Sequence, residues 1–101
     1  MNPNKVDRTK VKALTDLPNV GKATAADLHL LGIDRPEQLV GQCAFTLYER
    51  LCAKTGHRHD PCVIDVFLSI TAFVNGDPPR PWWAFTERRK ELLAKNPLGF
   101  D

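Results

Sequence analysis

Two sets of residues in this chain have the chemistry to bind or to react. The first is Cys52, His57, His59 and Cys62, acceptable soft ligands for zinc that lie close together in sequence. No C-x-x-C pair accompanies them, Cys52 falls inside an apolar helical repeat, and the spacing matches no standard finger. The segment therefore reads as a hydrogen-bonded loop packed on a core, and neither a metal nor another cofactor is expected. A nucleophilic set can also be drawn from Cys62, His59 and Asp65, because a thiol in the first turn of a helix beside an imidazole has a lowered pKa. First-turn cysteines are common core residues, however, and nothing marks an oxyanion hole. A small metal- or thiol-dependent enzyme ranks last among the functions considered.

The second set is the stretch Leu17-Pro18-Asn19-Val20-Gly21-Lys22-Ala23-Thr24-Ala25, a tight reversal between two helical patterns. Pro18 fixes one torsion, Asn19 and Gly21 tolerate positive φ, and Val20 fills the gap between the flanking elements. The helix that follows begins with amides that have no partner along the chain, and its dipole adds partial positive charge at the same place. Such a start attracts anions, which makes Asn19, Val20, Gly21, Lys22, Ala23 and Thr24 the candidate phosphate site. The competing reading is a plain structural corner or a protein contact.

Charge and aromatic residues bear on the same question. The net charge is only +2, but Lys5, Arg8, Lys10 and Lys12 face a single Asp7, and Arg80, Arg88, Arg89, Lys90 and Lys95 outnumber Glu87 and Glu91. Both ends are thus able to attract polyanions, although mixed solvated helix faces have the same composition. Pro81-Trp82-Trp83 with Phe85 offers aromatic surface to a base or a partner. The favoured expectation is that the tryptophans lock a C-terminal helix onto the body.

Helices must position these residues, because the apolar spacing is helical throughout. Ala44, Phe45, Tyr48, Leu51 and Cys52 repeat at three and four, Phe85, Leu92 and Leu93 at seven and eight, and no strand alternation stands out. Helices are predicted at 7–15, 22–31, 36–40, 43–54, 61–75 and 83–95. Gly32 and Gly56 supply stop signals, Asp60-Pro61 a start, and Asn96-Pro97 the end of the last helix. The helix at 61–75 is apolar almost all round, so it should be central, and the prolines at 78, 79 and 81 exclude regular structure before the final segment.

A chain of 101 residues, 43% hydrophobic and 26% charged, suffices for one core without staples. The expectation is an all-α, compact single domain of five or six helices. Three cysteines leave one unpaired in any monomer scheme, and no apolar leader opens the chain, so a reducing cytoplasm is expected. The run at 62–74 contains Asp65 and falls short of the roughly 20 residues needed to cross a bilayer, so no membrane partner is expected.

Leu-Pro-x-Val-Gly at 17–21, followed by Thr24-Ala25, Leu28 and Gly32-Ile33, resembles the helix-hairpin-helix motif of DNA-binding and repair proteins. The resemblance places the unit at 9–33 and implies that the turn amides grip a DNA phosphate without reading bases, with Lys22 and Thr24 as side-chain contacts. The family usually has glycine where this chain has Asn19, a departure that would crowd the closest approach to the DNA backbone. A degenerate second copy at 36–54 lacks the Pro-x-Val-Gly core and would be structural. Leu51-Cys52, the stretch from Gly56 to Asp65, and Pro81-Trp82-Trp83 with Arg88-Arg89-Lys90 are similar to the bacterial pathogenicity locus proteins, often labelled mitomycin resistance proteins. The turn region also resembles the C-terminal domain of TfoX-type competence regulators. The implied function is non-catalytic, sequence-independent DNA binding, on the order of 10⁻⁴ to 10⁻⁶ M as for non-specific contacts. The alternative is an adaptor that contacts an unknown protein through the same fold.

Overall fold

The computed structural model describes residues 3–95. They form four α-helices, α1 (Lys22–Leu30), α2 (Ala44–Thr55), α3 (Cys62–Val74) and α4 (Thr86–Lys95), joined by 3-10 turns. The architecture is all-helical, and α3 is its axis. Ile64, Phe67, Ile70 and Phe73 of α3 are buried against Leu47, Tyr48 and Leu51 of α2 and the leucines of the N-terminal half. An apolar surface on nearly every side of one helix leaves it nowhere to go but the centre.

Gly56, at φ 76°, closes α2 in the left-handed conformation, and Asp60 accepts the Cys62 amide at 2.8 Å ahead of α3. The signal at Asn96-Pro97 lies outside the described residues.

The first predicted helix, 7–15, is not one. Arg8–Lys10 and Leu14–Asp16 are separate 3-10 turns with an extended link between them. The cause is local competition: the Asp7 carboxylate accepts the amide of Thr9 at 3.0 Å, and that of Asp16 accepts the amides of Lys12 and Ala13 at 3.0 and 2.9 Å. Short acidic side chains thereby take amides that an α-helix needs. The predicted helix at 36–40 is likewise a 3-10 turn, Pro36–Leu39, and the segment at 83–95 opens as a 3-10 turn, Trp82–Phe85, before α4.

Two arginines expected on basic ends are structural. The Arg8 guanidinium donates to the carbonyl oxygens of Phe73 and Asp77, at 2.5 Å for Asp77, and stacks over the Phe73 ring. It thus serves the end of α3, where backbone acceptors lack helical partners. On the other side, fully buried Asp65 of α3 accepts from Arg89 Nε at 2.9 Å and from Thr86 Oγ1 at 2.8 Å, which fastens α4 to the axis. The carboxylate holds the Arg89 guanidinium above its ordinary pKa. A buried charge is tolerated only when so paired.

Candidate phosphate-binding turn

The turn is built from both of its flanks. Leu14 and Leu17 are buried below it, Val20 is buried within it, and the Val20 amide closes it on the Leu17 carbonyl at 3.4 Å. Asn19 takes the left-handed conformation at φ 68°, whereas Gly21 does not, with φ −98°. Of the two residues that tolerate positive φ, only Asn19 uses it, because the reversal is complete one residue before Val20. Nor does Asn19 crowd the face of the turn. Its amide nitrogen donates to Ser69 Oγ at 2.9 Å and to the Arg80 carbonyl at 2.8 Å, and its oxygen accepts the Trp82 amide at 3.2 Å. One side chain ties the turn to α3 and to the tryptophan segment.

The six predicted site residues divide by exposure. Gly21, Lys22 and Ala23 are exposed, Asn19 and Thr24 are half-buried, and Val20 belongs to the core. No side chain caps the start of α1 at Gly21. A Cβ built on Gly21 meets nothing within 4 Å, so neither backbone angle nor internal packing calls for a glycine there. The first turn of α1 therefore begins with exposed residues, Lys22 among them.

The same device recurs 22 positions later. As Asp16 takes the amides of Lys12 and Ala13, Gln38 Oε1 takes those of Asp34 and Arg35, at 2.7 and 2.9 Å. As Leu17 is buried and its carbonyl accepts the Val20 amide, Leu39 is buried and accepts the Gln42 amide at 3.1 Å. Gly41, at φ 80°, matches left-handed Asn19, and Cys43 at the start of α2 matches Gly21 at the start of α1. Cys43 went unremarked in the sequence, although its place directly before a helical repeat was the available signal. Its exposed thiol lies below the ordinary range, chiefly because the Thr46 amide, with that of Phe45, favours the thiolate.

The histidine and cysteine loop serves other ends. The Tyr48 hydroxyl donates to the His59 carbonyl, the His59 amide to Cys52 Sγ at 3.5 Å, and Thr55 Oγ1 pairs with His59 Nε2 at 2.8 Å. Burial pushes the Tyr48 phenol up to about 12, so it remains a donor. The His57 ring sits 4.3 Å from that of His59. Among the described residues no group of three or more His, Cys, Asp or Glu side chains is placed to share a metal. The lowered pKa expected for Cys62 is overturned: its thiol is raised, first by donating to Asp60 and then by burial. Asp65, the third member of that set, is committed to Arg89 and Thr86.

Among the described residues no helix is long and apolar enough to cross a membrane. No solved structure gives a significant match. The family described as Pathogenicity locus matches residues 7–91. A mitomycin resistance protein, McrB of Streptomyces lavendulae, is 43% identical over 81 residues, which cover 80% of this chain and 77% of that protein. Matched over most of its length on both counts, the chain belongs to the pathogenicity locus family.

Proposed function

We propose that this protein is a non-catalytic module that holds DNA through a backbone phosphate at the turn from Asn19 to Thr24. The observation that carries the reading is the start of α1, where Gly21, Lys22 and Ala23 are exposed and, among the described residues, no side chain caps the amides. A phosphate oxygen there accepts main-chain donors at the positive end of the helix dipole, with Lys22 beside it. Cys43 supplies the physical parallel, since the corresponding amides of α2 already favour a negative sulfur. Main-chain donors read no sequence, so binding is non-specific and driven by counterion release.

Titration of labelled duplex DNA, followed by fluorescence anisotropy at low and moderate salt, tests this. The wild-type chain should bind on the order of 10⁻⁴ to 10⁻⁶ M at moderate salt and tighter at low salt. The double variant Gly21→Val with Lys22→Glu should bind much more weakly, with a salt slope smaller by about 1. The space beside Gly21 and its ordinary φ let this variant fold, which a thermal melt verifies. No binding at low salt, or equal binding by a folded variant, removes the proposal.

An adaptor role has one observation in its favour. Val40, on the second turn, is 55% exposed and lines a groove with Val11, Pro36 and Val74, contiguous apolar surface of the kind that meets a protein. A protein partner captured by the wild type and by the Gly21 and Lys22 double variant but lost in Val40→Asp, with no duplex binding by any of them, would shift the assignment to that face.

A further inference from the structure

We propose that the groove between the turn and the tryptophan segment receives an unpaired base, so that the phosphate site serves single-stranded DNA in preference to duplex. The inference rests on the phosphate reading and names the form of DNA that the site takes.

The groove holds about 330 Å³ and is lined by Pro3, Asn19, Val20, Gly21, Trp82 and Trp83. It therefore opens directly beside the helix start at Gly21, and one wall of it is the turn itself. Trp82 is half-buried, while Trp83 is 62% exposed, the most exposed of the large apolar side chains among the described residues. The two indoles stand edge to face, 5.6 Å between centroids and 84° between planes, so the half-buried ring braces the exposed one. Indole surface held in place in this way loses little conformational freedom when a flat ring stacks on it.

Three facts converge on a nucleotide rather than another flat molecule. Asn19 bonds the Arg80 carbonyl and the Trp82 amide, which fixes the aromatic wall to the phosphate turn as one unit. Lys22 directly follows groove-lining Gly21, is exposed, and among the described residues has no carboxylate within ion-pair distance. The groove thus joins an apolar, aromatic lining to a helix start that carries one cation, complementary to a base attached to an anionic backbone. Finally, Gly21 is required neither by its φ nor by any neighbour, and it both lines the groove and begins α1, with open space where a Cβ would stand. Its bareness leaves room for a ligand that crosses from one to the other. A paired base is stacked inside the duplex and cannot reach an indole, whereas an unpaired one stacks without extrusion.

The test compares a twelve-nucleotide oligo(dT) with a duplex of the same length, by anisotropy and by quenching of tryptophan emission, for the wild type, Trp83→Ala and Trp83→Phe. The single strand should bind several-fold tighter than the duplex and quench the emission. Trp83→Ala should weaken single-strand binding by roughly 5- to 150-fold, the range that stacking of one base contributes, and leave duplex binding unchanged. Trp83→Phe should restore most of the preference. Because Trp83 is largely exposed, neither variant threatens the fold. Equal binding of strand and duplex without quenching, or an equal loss of both in Trp83→Ala, overturns the inference while the phosphate reading stands. Absence of binding to either form overturns both.

Discussion

The two turns, one from Leu14 to Lys22 and the other from Pro36 to Ala44, share one backbone plan and differ at its end. Each is capped by a side chain two residues past the start, each buries a leucine, and each reverses through a left-handed residue. At the helix start the first has Gly21 and the second Cys43, which makes no side-chain capping bond but whose thiol is lowered, chiefly by the Thr46 amide. The start of α2 thus carries a thiol beside its first turn, where the start of α1 carries no side chain at all. The second difference is what lies alongside. The first turn is bound by Asn19 to α3 and to an aromatic wall, whereas its counterpart Gly41 has no side chain to make such a link. A repeated scaffold can therefore hold the structure at both places and offer a ligand site at one.

If the plan is shared, its two anchors should be equivalent. Leu17 and Leu39 are both fully buried, and truncation of either to alanine should cost about 2–5 kcal/mol. Urea denaturation of Leu17→Ala and Leu39→Ala measures this, and a loss below about 1 kcal/mol at one of them would break the equivalence.

The left-handed residues should behave unequally. Asn19→Gly keeps the backbone angle but deletes three hydrogen bonds to Ser69, Arg80 and Trp82, a loss of about 1–3 kcal/mol. Gly41→Asn should cost less than about 1 kcal/mol, since asparagine visits this conformation and the space beside Gly41 is open. Thermal melts rank the two. Tryptophan emission should also shift to the red in Asn19→Gly alone, as the segment holding Trp82 loosens. Equal melting losses would mean that Asn19 does no more than set a backbone angle.

What was legible in the sequence was what is local. The four α-helices follow from apolar spacing and from Gly56 and Asp60-Pro61, signals that act within a few residues. The first helix was misread because Asp7 and Asp16 capture nearby amides, and such capture opposes helix propensity without changing the apolar pattern. The structural role of two arginines at the basic ends was hidden for the opposite reason. Arg8 and Arg89 find partners on α3, Phe73 and Asp65, which are distant in the chain, so net charge near a terminus could not tell a solvated arginine from a structural one. The candidate turn was legible as a motif, but its union with Trp82 depends on Asn19 reaching Ser69 and Arg80, which no spacing reveals.

The smallest effect tests the helix starts through the thiols themselves. The amides of Thr46 and Phe45 lower the Cys43 thiol, and the Asp60 carboxylate raises that of Cys62. At any pH below the ordinary thiol range near 9, Cys43 should hold the larger thiolate fraction, since a lowered pKa is crossed earlier as pH rises. Carboxymethylation by iodoacetate, followed by mass spectrometry across pH 6 to about 9, should therefore label Cys43 first, Cys62 later and buried Cys52 only on unfolding. The Cys43 rate should also level off at a lower pH than the Cys62 rate. If Cys62 reacts as early as Cys43, the amides of α2 are not favouring an anion, and the argument that those of α1 will hold a phosphate loses its parallel within the chain.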